Sequence, residues 1–230
     1  MSSSLRDNAL DALMQPFEGG LLRWPQAGDA LFLRAREGAA LHAAGTRGFA
    51  CTQPFKPEAD RLQRIGADML DEDALPDAKF PLVLVLPPRQ REEARALLAK
   101  ACKAVAAGGI VIASVANDEG AKSREADLKQ LAGSVTTISK HHCRVFWTRP
   151  DAGCDAAVLA PWAKADAPRM QESADVPAGE FRTRPGVFAW DRIDAASKML
   201  AEALPADLRG RVADFGAGWG YLSLQLLARC

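Results

Sequence analysis

Residues Phe80 to Pro88 read FPLVLVLPP, an almost unbroken aliphatic run closed by a proline pair. A strand that is apolar on both faces needs cover on both, as in a parallel sheet flanked by helices. The next stretch, REEARALLAKACKAVAAGG, carries Ala94, Leu97, Leu98, Ala101, Cys102 and Val105 at helical spacing. Gly108 and Gly109 are expected to end that helix. GIVIASV follows as a second apolar strand. Together these segments predict a β-α-β unit with a right-handed crossover, and hence an α/β fold.

Other segments fit that frame. DALFLRA (Asp29 to Ala35) and GFACTQ (Gly48 to Gln53) read as strands bounded by glycine and proline. KPEADRLQRIG reads as a helix with Pro57 in its first turn. Ser123 is expected to cap the helix READLKQLAG. SVTTISKHHCRVFWTR reads as two β segments around a polar hinge at an antiparallel edge. From Pro150 to Thr183 the texture turns to Ala, Asp and Pro with weak periodicity, which reads as a linker. Order resumes with AWDRIDAASKMLAEALP, a helix expected to be capped by Asp191 and stopped by Pro205.

Lys+Arg and Asp+Glu balance at 29 each, so polyanion binding needs a local basic face rather than a global charge. The five cysteines are widely spaced with no C-x-x-C, which argues against a disulfide framework or zinc knuckle. The N-terminus has no long apolar run, so no signal peptide is expected. No segment approaches the roughly 20 apolar residues of a membrane span. The expectation is a cytoplasmic protein with no membrane partner.

GRVADFGAGWG, near the C-terminus, reads as a strand and a glycine turn; the apolar stretch YLSLQLL then begins a helix. Asp214, Gly216, Ala217, Gly218 and Gly220 lie on D-x-G-x-G-x-G. Such a turn lets ligand atoms approach the backbone where Cβ atoms would stand, and the helix start supplies free N–H groups. A dinucleotide fingerprint spaces its glycines G-x-G-x-x-G, one residue longer at the third position. A carboxylate before the turn also repels phosphate. A cofactor with an amino acid end suits the turn better, and S-adenosylmethionine is the candidate.

Two blocks, RPGVFAWDRIDAASKML…GRVADFGAGWGYLS and NDEGAKSREADL…SKHHCRVFW, resemble the two-domain ribosomal RNA guanine-N2 methyltransferases of the methyltransferase small domain group. The resemblance implies a duplicated fold. A degenerate Rossmann-like methyltransferase domain (residues 1–149) is followed by a linker (150–183). The first strand, turn and helix of a second Rossmann-like domain, which binds S-adenosylmethionine, come next (184–230). It also implies that Phe188 lies near the cofactor, that the complete enzyme methylates a guanine exocyclic amine of ribosomal RNA, and that the first copy is inactive. That copy has Arg34, Arg36 and Glu37 where an active one has glycines, and Leu86-Pro87-Pro88-Arg89 where Asn-Pro-Pro-aromatic is expected.

No catalytic residue is assigned, because the ribose-binding acid and the amine-holding motif of the second copy are not found in the sequence. The chain is therefore expected to be the front part of a longer enzyme, inactive alone and able to self-associate through its C-terminal region. Lys140, His141 and Arg144 are candidates for contact with RNA phosphates. His141 and Cys143 do not make a metal site. Two alternatives stand beside this reading: a non-catalytic RNA-binding or folding-helper module, and an NAD(P)-dependent oxidoreductase, which the glycine spacing disfavours.

Overall fold

A computed structural model of the chain describes residues 7–25, 30–45, 49–205 and 207–229. Asp29 and Gly48, the first residues of two expected strands, the N-terminal residues 1–6, and Cys230 lie outside the described residues. The chain divides into two units, Met1–Lys164 and Ala165–Cys230.

The first unit runs α1 (Asn8–Glu18), β1 (Ala30–Leu33), α2 (Ala39–Ala44), β2 (Phe49–Thr52), α3 (Lys56–Arg64), β3 (Asp68–Met69), β4 (Phe80–Val85), α4 (Arg91–Ala104), β5 (Val105–Ala116), α5 (Ala121–Ala132), β6 (Val135–Lys140), β7 (Cys143–Thr148) and α6 (Ala156–Trp162). Its seven strands form one sheet in the order β3-β2-β1-β4-β5-β7-β6. β1 to β5 pair in parallel, while β7 lies antiparallel to both β5 and β6. Strand alternation splits the core in two. Phe32, Leu84, Ile112, Val145 and Trp147 pack with Leu10, Leu13, Leu41 and Leu62 from α1, α2 and α3. Leu31, Leu33, Val83, Val85, Val111 and Phe146 pack with Leu97, Leu98, Leu128 and Leu131 from α4 and α5. The doubly covered sheet expected from the FPLVLVL run is thus present.

Several local expectations are corrected. α4 stops at Ala104, not at Gly108-Gly109. β5 already pairs Val105 with Phe80, and the register jumps before Ile110 meets Leu82. A Cβ on Gly109 would stand 2.8 Å from the Pro81 carbonyl, so this glycine serves close strand approach rather than helix termination. α5 begins after Gly120 in the left-handed region (φ 87°), and Ser123 lies inside the helix rather than at its cap. The polar hinge expected between the two β segments, by contrast, is present at His141 and His142. With φ of 51° and 58° they form the two-residue turn that joins Lys140 to its partner Cys143. Such positive-φ pairs match the twist of a hairpin.

Residues 150–183, read as a linker with room for a local turn or edge strand, hold one helix and two short strands. α6 packs Val158, Leu159 and Trp162 onto the α4/α5 side of the first unit's core. In the second unit, β8 (Arg169–Glu172) and β9 (Glu180–Thr183) pair as an antiparallel hairpin. α7 (Ala195–Ala203) and α8 (Tyr221–Leu227) follow. The cap of α7 is Asp194, which accepts from the Ser197 N–H at 2.9 Å, and not Asp191. The segment GRVAD, expected as a strand, forms no ladder. A strand exists only through its neighbours, and none pairs with these residues in the described second unit.

Candidate cofactor site

The D-x-G-x-G-x-G turn enters α8 through three glycines of positive φ: 75° at Gly216, 61° at Gly218 and 97° at Gly220. Other residue types are strained there. The Gly220 N–H donates to the Ala217 carbonyl at 2.8 Å, and the Gly220 carbonyl then accepts the first bond of α8 from Leu224 at 2.9 Å. A Cβ on Gly216 or Gly220 would meet nothing within 4 Å, and one on Gly218 would meet only backbone oxygens, the nearer being Phe188 O at 3.8 Å. The turn therefore needs glycine for its backbone path, and it leaves open room beside that path.

Two contacts brace the turn. Asp214 accepts a hydrogen bond from the Ser223 hydroxyl at 2.8 Å, which ties the residue before the turn to the first turn of α8. Trp219 stacks on Phe181 of β9, with ring centroids 3.8 Å apart and planes 17° apart, and lies tilted against Tyr221. Neither Ser223 nor Phe181 was singled out from the sequence. Phe181 lies 38 residues from its partner Trp219, a contact that no local pattern encodes.

A cleft of about 110 Å³ opens over the turn, lined by Phe188, Asp194, Asp214, Gly216, Ala217 and Gly218, among others. Of the six expected cofactor residues, only Gly220 is outside this lining. Enclosed ligand pockets are typically ~300 Å³ or more, so the cleft can enclose only part of a nucleoside-sized ligand. Phe188 is 69% exposed and Phe215 is 96% exposed. On the other side of Asp214 a second, larger hollow of about 350 Å³ lies between Leu208, Val212 and the Leu226-Leu227 end of α8.

The equivalent end of β1 in the first unit is built differently. Arg34 leaves the strand at φ 56° and turns its guanidinium onto Glu72 (Nε to Oε2, 2.7 Å; Nη2 to Oε1, 3.0 Å) and Glu93 (2.9 Å). The Thr52 hydroxyl donates to Glu72 at 3.1 Å and accepts from the Arg34 N–H at 3.2 Å. Burial alone would lower the Arg34 pKa, but Glu72 and Glu93 outweigh it and hold it above the ordinary arginine value. Arg36 pairs with Asp7 at 2.9 Å and Glu37 with His42 at 3.3 Å. Leu86 is buried and donates its N–H to Leu33 O at 3.2 Å. Charged side chains fill this strand end, as the Arg34, Arg36 and Glu37 reading expects.

The candidate RNA residues are only partly together. Lys140 and His141 are exposed at the β6–β7 turn, but Arg144 is engaged by Glu125, which also accepts from Thr137 at 2.7 Å. Among the described residues no group of three or more His, Cys, Asp or Glu side chains could hold a metal ion, and no helix is long and apolar enough to cross a membrane.

Residues 178–230 match the family model described as "Methyltransferase small domain". Ribosomal RNA small subunit methyltransferase C of Psychromonas ingrahamii is 27% identical over 154 residues, which cover 66% of this chain and 43% of that protein. The protein of the same name from Vibrio vulnificus is 29% identical over 66% of this chain and 44% of its own length. The chain thus spans less than half the length of these two curated relatives. Among solved structures, a 16S rRNA N2 methyltransferase of T. thermophilus, in complex with AdoMet and guanosine, superposes with a TM-score of 0.77 at 23% identity, over 99% of this chain and 61% of that one. That likeness shows the fold. Residues 178–230, which include the stretch from Arg184 onward quoted from the sequence, are thus similar to the methyltransferase small domain, and about two thirds of the chain is similar to the two curated relatives.

Proposed function

We propose that this chain carries the cofactor turn of an S-adenosylmethionine-dependent methyltransferase that acts on the exocyclic amine of guanine in ribosomal RNA. The observation that carries the reading is the turn itself: an aspartate at its start, three glycines of positive φ, and free space where their Cβ atoms would stand. The relatives' names and the AdoMet and guanosine of the structural neighbour support the cofactor and the substrate.

The residues present fit such a ligand. Asp214 offers a carboxylate to the ammonium or hydroxyl groups of the cofactor. Gly216, Ala217 and Gly218 line an open cleft where their backbone is within reach of a ligand, and Phe188 gives it an apolar wall. When bound, S-adenosylmethionine supplies an electrophilic methyl group that needs little activation, so alignment is the protein's main task. Ser223 holds the Asp214 carboxylate in place, and the Phe181–Trp219 stack holds the turn.

The first unit, with its own strand end filled by Arg34, is read as a helper in RNA docking or folding. By itself the 230-residue chain is proposed not to transfer methyl groups, because its cleft is shallow and leaves Phe215 open to water. The exposed apolar side chains around the turn favour self-association. The free cysteines suit a reducing cytoplasm.

A thermal-shift series at saturating S-adenosylmethionine, S-adenosylhomocysteine, NAD and NADP tests the cofactor. Stabilisation by the two S-adenosyl compounds, lost in Asp214→Ala, is expected. Stabilisation by NAD or NADP, or none by any S-adenosyl compound, overturns it. Methyl transfer from labelled S-adenosylmethionine by this polypeptide alone refutes the proposed inactivity.

A further inference from the structure

On one flank of the first unit, a single buried carboxylate is surrounded by arginines. Asp127 of α5 is 1% exposed. It accepts from Arg91 (Nη2 to Oδ1, 3.0 Å) and from Arg95 (Nη2 3.0 Å and Nε 3.2 Å, both to Oδ1). Arg124, one turn earlier on α5, brings Nη1 to 4.0 Å from Oδ2. Three guanidinium groups therefore share one carboxylate. One arginine would suffice to clamp α4 to α5, so the other two positive charges are in excess of that structural need.

The excess is held rigidly, and it reaches solvent through Arg91 and, in part, Arg95. Arg124 is buried: Nη2 donates to Arg89 O at 2.6 Å, while Nε has no hydrogen-bond partner. Burial lowers the Arg124 pKa and Arg91 and Arg95 repel it further, so that Asp127 does not restore it. Arg95 is fixed over the Trp162 ring, 4.6 Å from the centroid. Arg91, by contrast, has a side chain 55% exposed. Guanidinium forks already held by protein contacts lose little freedom on meeting a phosphate and match its oxygens two at a time.

The β6–β7 turn is a poorer candidate. Glu125 already neutralises Arg144, and Asp7, Glu119 and Asp118 act on the Cys143 thiol beside the turn. We infer that the arginine cluster of α4 and α5 around Asp127 is a docking site for the phosphate backbone of RNA. The inference rests on the methyltransferase reading for its choice of polyanion. Only Arg91 presents its guanidinium freely, with Arg95 28% exposed beside it and Arg124 buried beneath, and such a one-sided contact suits an extended polyanion better than a small free phosphate. RNA fits over an acidic membrane because the substrate proposed for the chain is itself RNA.

Fluorescence anisotropy of a labelled RNA stem-loop, titrated with the 230-residue chain between about 50 and 200 mM salt, tests it. Arg91→Ala is expected to weaken binding several-fold and to reduce the slope of log K against log salt by about 0.7–0.9, the loss of one phosphate contact. Arg91→Lys should keep most of the slope. The double variant Arg91→Ala/Arg95→Ala should lose about twice as much, with circular dichroism reporting whether it folds. Lys56→Ala, an equal charge loss on α3, should change neither affinity nor slope. An unchanged slope in Arg91→Ala, an equal loss in Lys140→Ala, no RNA binding by the wild type, or binding to phosphatidylserine vesicles in place of RNA overturns the inference. If S-adenosylhomocysteine still stabilises a wild type that ignores RNA, the docking site falls and the cofactor reading stands. Arginine-dependent RNA binding without any S-adenosyl response upholds the site and removes the transferase reading.

Discussion

Cys51 and Cys143 are buried thiols whose environment shapes how the fold responds to alkali. Burial, with a contribution from Asp68, pushes Cys51 up to about 12; burial, with Asp7 and Glu119, pushes Cys143 up to about 11. Both stay protonated in the folded state where an unfolded thiol, at 9.0, ionises. Their contribution to stability is therefore complete below pH 9.0 and is lost as pH rises towards the folded values. The urea midpoint should fall between pH 9.0 and about 12, and Cys51→Ala should flatten that fall while lowering the midpoint at neutral pH. Equal slopes in the two proteins would deny the effect. At this scale the sequence was legible where a residue's role is local. The glycines of D-x-G-x-G-x-G follow from backbone geometry alone. Asp194 rather than Asp191 caps α7 because the helix starts one turn later than its apolar stripe suggests. The polar hinge at His141 and His142 was legible between two β segments, but not its positive-φ geometry.

Among elements, the strand end of β1 makes a sharper claim than its sequence. Arg34, Glu72 and Glu93 form an ion cluster whose side chains are 16%, 13% and 14% exposed. Removing one partner from such a cluster strands the others, at a cost of about 3–5 kcal/mol when burial is complete and less where water still reaches. Arg34→Ala should therefore destabilise the first unit by about 2–4 kcal/mol in urea unfolding. Loss of under about 0.5 kcal/mol would mean that the cluster behaves as an ordinary surface pair. The sequence showed that this end lacks glycines, but not that Glu72, 38 residues on, would reach it. The parallel strands were legible because an aliphatic run both forms and buries itself. α1 and α6 were not, since Pro16 and Pro161 mark their text as irregular; each proline falls in the last turns of its helix. The β8–β9 hairpin lies in text rich in Ala, Asp and Pro, where Phe181 and Thr183 are the two buried residues of β9.

For the whole molecule, the two units differ in how much apolar surface they bury. Of the large hydrophobic side chains left exposed, Leu21 and Phe55 belong to the first unit, while Met170, Phe188, Met199, Leu200, Val212, Phe215, Leu224 and Leu227 all belong to the second. A small unit with so much apolar surface in water has little left to offset the entropy of ordering its chain. The glycine turn and its helix were readable because their signal is local, whereas the strand expected before them needs sheet neighbours. Unfolding should therefore proceed in two steps. Trp190 and Trp219 report on the second unit, and Trp24, Trp147 and Trp162 on the first. In a urea titration, the fluorescence change removed by Trp190→Phe/Trp219→Phe should come first, at a denaturant concentration where the helical circular dichroism signal is largely intact. ANS should bind the untreated chain, and sedimentation should show mass rising with concentration through the same apolar side chains. Coincident transitions by both probes, with no ANS signal from a strictly monomeric chain, would mean that the second unit is stabilised by something other than its own core.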